Sequence, residues 1–190
     1  MNFEHYKKIA LKDLQEALER KLVDEPIIPY LNIINSHPSF YTTSSCYGRI
    51  TVDLVPFKEN KKDHKWLGKW HRTVTVEEVE KAITSEKGKI TWLKQDSFII
   101  HIGADTIDNA LKLLDLARNK AGLKRSGIMQ IKPRIMLEII GLDTLASPLY
   151  YETTQLYSNL THLVTIANMK FQRNEERLKH FITLFEQEFS

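Results

Sequence analysis

Residues 41–50 read YTTSSCYGRI: two threonines, two serines, the chain's single cysteine, then Gly48 and Arg49. Ser44 and Ser45 carry rotatable hydroxyls that both donate and accept, which suits a ligand edge or a carboxylate. Gly48 lets the backbone bend sharply and expose its amides. Arg49 presents a planar fork that can hold a carboxylate or a phosphate through two parallel bonds. Cys46 followed by Arg49 resembles the nucleophile loop of phosphate-binding hydrolases, a cysteine-dependent alternative for this chain. The spacing is too short to wrap phosphate, however, and no general acid stands beside it. Cys46 reads instead as a small apolar filler. Taken alone, the stretch is equally a hydroxyl-capped turn.

Imidazoles are the natural proton acceptors near neutral pH. His71 is the histidine best placed in the sequence for that task; the plainer reading is a strand histidine satisfied by a backbone carbonyl. His101 alternates with Ile100 and Ile102 on an apolar run, so it reads as orienting a neighbour or bonding within the core. His64 and His71 have no thiolates or paired acids nearby, and no metal ligand set is expected.

Two basic runs stand out. Residues 61–72, KKDHKWLGKWHR, mix strong bases with two tryptophans, and residues 118–134 hold lysines and arginines without an acid. A solvated surface accounts for either run alone. Together they suit a nucleic-acid backbone, with Lys65, Trp66, Lys69, Trp70, Arg72, Lys124, Arg125 and Arg134 as contacts. FIIHIGADT, residues 98–106, has the strand–glycine–helix order of a dinucleotide site. It offers only Gly103, and Asp105 would face the phosphate, so a Rossmann site is rejected.

Elements must position these side chains. Apolar residues recur every three or four positions over residues 3–22, which predicts a helix. Asp24-Glu25-Pro26 supplies a capping acid and a proline for a second helix through Ile34. Residues 39–43 and 48–55 read as strands, with Ile50, Val52 and Leu54 on one face. Residues 66–75 predict another strand, followed by an acidic helix over 76–84. Two apolar runs, 90–93 and 98–102, read as a hairpin joined through residues 94–97. Asp105, with Asp108 three residues on, opens a helix that Gly122 closes. Residues 128–131 and 134–140 are further strands, and 152–189 reads as one long helix or two. Both basic runs join strands of what reads as one sheet.

A chain of 190 residues suits a single domain, here residues 1–190, and 42% hydrophobic residues can build its core. The formal charge of +3 is too small to indicate a partner by itself. A single cysteine excludes an internal disulfide and points to a reducing compartment. No run approaches the roughly 20 apolar residues of a membrane span. The amphipathic, acid-containing start is unlike a secretory signal. The expectation is a cytoplasmic protein with an α+β fold: a mixed, mainly antiparallel sheet, flanking helices and a long C-terminal helix.

TTSSCYGRI after IINSHPSFY is similar to the tRNA wybutosine-synthesizing protein 3 family, whose bend typically reads SSCSGR. The similarity continues in order through WLGKWHR, FIIHIGA, AGLKRSGI, RIMLEI and ANMKFQRN, and so covers nearly the whole chain. The resemblance implies an S-adenosylmethionine-dependent methyltransferase that modifies a ring nitrogen, N4, of the tricyclic base beside the anticodon of tRNA-Phe. It also implies a fold distinct from the Rossmann methyltransferases. The partner is then the tRNA anticodon arm, with no membrane and no DNA. Carried onto this sequence, Ser44, Arg49 and His71 become the catalytic candidates. Ser45, Cys46, Gly48 and His101 become the candidates for holding the methyl donor. Tyr47 stands where the family often has serine, which argues against an essential hydroxyl there. The competing class is a non-catalytic tRNA-binding module.

Overall fold

A computed structural model describes residues 2–58 and 64–189. The described chain divides into two compact units, each threaded by separate stretches of sequence. One comprises the residues up to Tyr47, Phe98–Leu142, and those from Glu175 on; the other comprises Gly48–Ser97 and Asp143–Asn174.

The first unit begins with α1 (Phe3–Glu19), whose N-terminus is capped by the Asn2 side chain accepting from the His5 amide. A 3-10 turn over Glu25–Ile27 leads into α2 (Ile28–Ser36). Strands β1 (Phe40–Cys46) and, much later in the chain, Ile99–Ala104, Gly127–Gln130 and Ile135–Ile140 form an antiparallel four-stranded sheet. The first and last strands in its order are β1 and Gly127–Gln130. One face carries Tyr41 and Met136, against which Phe3, Tyr6 and Ala10 of α1 pack. Ile100, Ile102, Leu137 and Ile139 are wholly buried. A helix over Ile107–Asp115, extended by a π turn at Leu116–Lys120, and the end of the C-terminal helix complete this unit.

The second unit holds β2 (Arg49–Pro56), β3 (Lys65–Trp70), α3 (Val76–Ala82) and β4 (Lys89–Asp96). In chain order the remaining elements are then β5 (Ile99–Ala104), α4 (Ile107–Asp115), β6 (Gly127–Gln130), β7 (Ile135–Ile140), β8 (Leu145–Tyr151), β9 (Thr154–Gln155) and α5 (Leu160–Glu188). The second sheet runs β3-β2-β4-β8-β9, antiparallel throughout its ladders. Ile50, Val52 and Leu54 are buried as the alternation predicts, and so are Thr51 and Asp53. Thr75 caps α3 in a reciprocal capping box with Glu78. The Asn168 side chain bonds both the amide and the carbonyl of Val74.

The α+β class, the antiparallel pairing and the long C-terminal helix are as expected from the sequence. Several details differ. Residues 94–97 do not close a hairpin: both neighbours of β4, namely β2 and β8, lie in its own sheet, and β5 pairs with β1 and β7. Periodicity identified the two runs but could not identify their partners. For the same reason the basic runs join different sheets, since β3 belongs to one and β6 and β7 to the other. Asp24 makes no side-chain cap on the turn it precedes; its carboxylate accepts from the Tyr47 amide at 2.9 Å. Thr106, not Asp105, caps α4, because the Asp105 carboxylate is held by the Asn109 amide group. The helix expected over 3–22 ends at Glu19, the strand expected over 66–75 ends at Trp70, and residues 145–151 form a strand that was not foreseen. Lys61 and Lys62 lie outside the described residues. No helix among the described residues is long and apolar enough to cross a membrane.

Close packing on the first sheet gives a stability test. A Cβ built on Gly103 would lie 2.2 Å from a ring carbon of the buried Tyr41, whereas one on Gly127 meets nothing within 4 Å. Gly103→Ala should therefore cost about 1–3 kcal/mol through overpacking. At roughly 2–4 °C per kcal/mol, that is a fall in Tm of about 2–12 °C. Gly127→Ala should leave thermal unfolding nearly unchanged.

Candidate functional site

The candidate residues fall into two groups, one in each unit. In the first unit a polar row crosses three strands. His101 on β5 stands directly opposite Glu138 on β7. On the other side, β1 carries one extra residue: Thr42 pairs with Ile102, but Ser45 pairs with Ile100. That bulge brings Ser44 round to His101, with the Ser44 hydroxyl 2.7 Å from Nδ1. His101 Nε2 lies 3.3 Å from a Glu138 oxygen. Ser44 is exposed, while His101 and Glu138 are half-buried.

Beside this row, Ser44 and Ser45 rim a cavity of about 250 Å³ whose wall is Leu14, Ala17, Leu22 and Val23. An apolar wall with a hydroxyl rim fits a small organic ligand with polar edges. Cys46 follows, half-buried, at the end of β1. Tyr47 is fixed rather than presented: its hydroxyl donates to Glu175 at 2.8 Å and its ring stacks on Tyr30. Burial, then the Glu175 carboxylate, push its phenol pKa up, so it stays protonated. The same unit holds the exposed Lys124 and Arg125, and it sets the Arg134 guanidinium over the Tyr6 ring at 5.5 Å.

In the second unit Gly48 adopts the left-handed φ of 95° that a side chain would resist. Its carbonyl lies 2.8 Å from His71 Nδ1. A carbonyl only accepts, so Nδ1 carries the proton in that bond and His71 helps hold the bend. Arg49 gives Nε to Asp96 at 3.0 Å and lays its guanidinium over Trp66 at 4.8 Å. Its terminal nitrogens are the part suited to an incoming anion. Lys69 covers the same ring at 4.7 Å. Trp66, 47% exposed, is thus an indole flanked by two cations. Trp70 differs: a Cβ on Gly68 would fall 2.1 Å from its ring, so that ring packs over the strand. Lys65 and Lys69 are exposed, whereas Arg72 is bound in a two-pronged pair with Glu78. Beneath this face, Asp53 is 4% exposed and held by Lys94 at 3.0 Å, with His64 Nε2 at 3.6 Å. One Asp53 oxygen and the Thr51 hydroxyl are buried without a partner among the described residues.

Comparison with known proteins shows which family the chain belongs to. Residues 5–187 match the family described as Methyltransferase TYW3. The chain belongs to that family. A TYW3 relative from Pyrococcus abyssi is 42% identical over 183 residues, covering 95% of this chain and 94% of the relative. It is named tRNA(Phe) 7-((3-amino-3-carboxypropyl)-4-demethylwyosine(37)-N(4))-methyltransferase 1. A Methanocaldococcus jannaschii protein named for the same activity is 36% identical over 94% of each chain. Among solved structures, the PH1069 protein from Pyrococcus horikoshii superposes with a TM-score of 0.89 at 39% identity, covering 96% of this chain and 95% of that one. The TYW3 fold here is two antiparallel sheets with helices, unlike a Rossmann sheet.

Sequence reasoning on this TYW3 member missed Glu138 and Lys94. Glu138 lies on its strand as a lone charge among apolar neighbours, and that misfit was the available signal; Lys94, followed by Gln95 and Asp96, gave none.

The Arg72–Glu78 pair has a defined pH dependence. The Arg72 guanidinium, then the Thr75 amide, hold the Glu78 carboxyl down to about 2 from 4.5. A depressed folded pKa contributes stability above the ordinary carboxylate range and loses it as pH falls towards the folded value. Amide protection in the first turn of α3, measured against the intrinsic exchange rate at each pH, should therefore fall between about pH 4.5 and 2. Glu78→Gln should remove that dependence.

Proposed function

We infer that this chain transfers a methyl group from S-adenosylmethionine to N4 of the 7-(3-amino-3-carboxypropyl)-4-demethylwyosine base at position 37 of tRNA(Phe). The observation that carries this reading is the near full-length match to a relative named for that activity. The reading treats residues 1–190 as a single methyltransferase domain, and it favours a transferase over a carrier module.

S-adenosylmethionine, when bound, supplies an electrophilic methyl on a sulfonium. The protein's tasks are then to hold the acceptor nitrogen in line, to keep water away and to remove the acceptor's proton. The cavity bordered by Ser44 and Ser45 has the apolar wall and hydroxyl rim that an adenosine or methionine portion requires. Cys46 and the Gly48 backbone continue that stretch. The free edge of Arg49 suits the methionine carboxylate or a tRNA phosphate. Trp66, 47% exposed and within cation–π distance of Arg49 and Lys69, offers a surface for stacking an unpaired base near the anticodon. Lys65, Lys69, Lys124 and Arg125 are exposed charges for the phosphate backbone of the anticodon arm. Arg72 and Trp70, engaged by Glu78 and Gly68, contribute less freely. Two histidines can take the proton, His71 and His101.

Labelled methyl transfer from the donor to unmethylated tRNA(Phe) tests the reading, and calorimetry should show a donor site. Absence of both would refute it. Arg49→Ala should lower the transfer rate at least about tenfold with the fold intact, since a charge-assisted fork is lost. Near-normal rates and affinities would remove Arg49 from the site.

Neutralising Lys124 and Arg125 together should weaken all tRNAs alike, because phosphate contacts carry no base information. The slope of log affinity against log salt should fall by roughly 1–2, at about 0.7–0.9 per phosphate lost. An unchanged slope would make this stretch ordinary solvated surface.

A further inference from the structure

The row Ser44–His101–Glu138 has an internal order that its chemistry fixes. A carboxylate only accepts hydrogen bonds, so His101 Nε2 must carry the proton it shares with Glu138 at 3.3 Å. In the neutral ring Nδ1 is then an acceptor, and the Ser44 hydroxyl at 2.7 Å must be its donor. The Ser44 oxygen is left with lone pairs turned away from the ring, on an exposed residue beside the cavity between α1 and β1. An exposed hydroxyl whose own proton is already committed to an imidazole is arranged to accept a proton from outside. The carboxylate behind the ring stabilises the imidazolium that results.

We propose that Ser44 and His101 form the proton relay for methyl transfer, with Glu138 as the positioning residue. The proposal rests on the transferase reading and adds to it the path of the proton. As the bond from N4 to the methyl carbon forms and the bond from sulfur to that carbon breaks, the acceptor's N–H proton passes to the Ser44 oxygen. The Ser44 proton passes to His101 Nδ1. The sulfonium charge disappears as a neutral thioether leaves, and the positive charge moves to the imidazolium, facing Glu138. Solvent then takes the proton, which resets the relay. Among the described residues, Glu138 on β7 contacts the ring, and Asp13 on α1 lines the cavity that Ser44 rims. On β6, the position paired with Glu138 is Gly127, which brings no competing side chain. His71, bonded through Nδ1 to the Gly48 carbonyl, then serves to hold the bend.

Two measurements test this. Nitrogen NMR of the free protein above neutral pH should show His101 protonated at Nε2 and bare at Nδ1; the opposite tautomer overturns the relay. Steady-state methyl transfer to tRNA(Phe) across pH then reads the base itself. His101→Asn and Ser44→Ala should each lower kcat about 100-fold or more, the usual worth of general base catalysis. The KM for tRNA should stay within about threefold in both variants, and the donor KM should do so in His101→Asn; in Ser44→Ala the donor KM can rise as well, because Ser44 also rims the donor cavity. The acid limb of the profile should vanish in His101→Asn. In Glu138→Gln it should persist, while the nitrogen spectrum should lose its fixed preference for the tautomer protonated at Nε2. His71→Ala should keep the limb whatever its rate. A retained limb and near-normal kcat in His101→Asn, or loss of the limb in His71→Ala, overturns the relay and leaves the transferase reading standing. Wild-type protein that transfers no methyl overturns both. Should His101→Asn fail to fold, the exposed Ser44→Ala and the tautomer measurement decide.

Discussion

A single extra residue in β1 sets the polar row of the first unit. Without it, the pairing of Thr42 with Ile102 would continue in step, and Ser44 would fall opposite Ile100 on the other face. Side-chain direction alternates along a strand, so a one-residue insertion moves everything beyond it to the opposite face. The bulge needs local bonding to persist on an edge strand. Asn35 of α2 supplies it: its carbonyl oxygen accepts the Thr42 amide at 2.7 Å and its amide group donates to the Thr42 hydroxyl at 2.8 Å. The same contacts cover polar groups on an edge strand that would otherwise invite pairing with another chain.

The second unit uses its sheet differently. One face of β2 and β4 is buried: Ile50, Val52 and Leu93 are wholly enclosed, with Gln95 and Thr91 of β4 among them. The other carries Arg49, Thr51 and Asp53 on β2, with Lys94 and Asp96 beside them on β4. Burying Asp53 is costly unless it is paired, and Lys94 provides the pairing. That leaves Arg49 and Lys69 arranged about Trp66, where cation–π contact holds an exposed indole in place. A fixed aromatic surface among positive charges costs little further ordering when a base stacks on it.

Methyl transfer places modest demands on acid–base power and strong ones on position. The two groups of residues divide along that line. The hydroxyl–imidazole–carboxylate row has the makings of a proton path, and the arginine, tryptophan and lysines have the makings of a hold on an anionic, aromatic substrate. Sheets suit both, because neighbouring strands fix side-chain spacing more tightly than loops do.

The sequence by itself determined the family, through ordered blocks of residues such as SSCYGR and WLGKWHR that persist across nearly the whole chain. It also determined the class of fold and most elements, because burial periodicity is local: the stripe of α1, the alternation of β2 and the left-handed glycines 48 and 122 are all legible without partners. Pairing was not legible. Residues 90–102 look like a hairpin in isolation, and only competition among all strands sends β4 and β5 to different sheets. Caps were decided in the same way, since Asp24 and Asp105 have the right chemistry but spend it on Tyr47 and Asn109. The bulge in β1 was invisible because it is a matter of register against β5, and the contact of Glu138 with His101 was invisible because it lies across a strand pair. Local sequence specifies what a residue can do; tertiary contact decides which of its possible partners it meets.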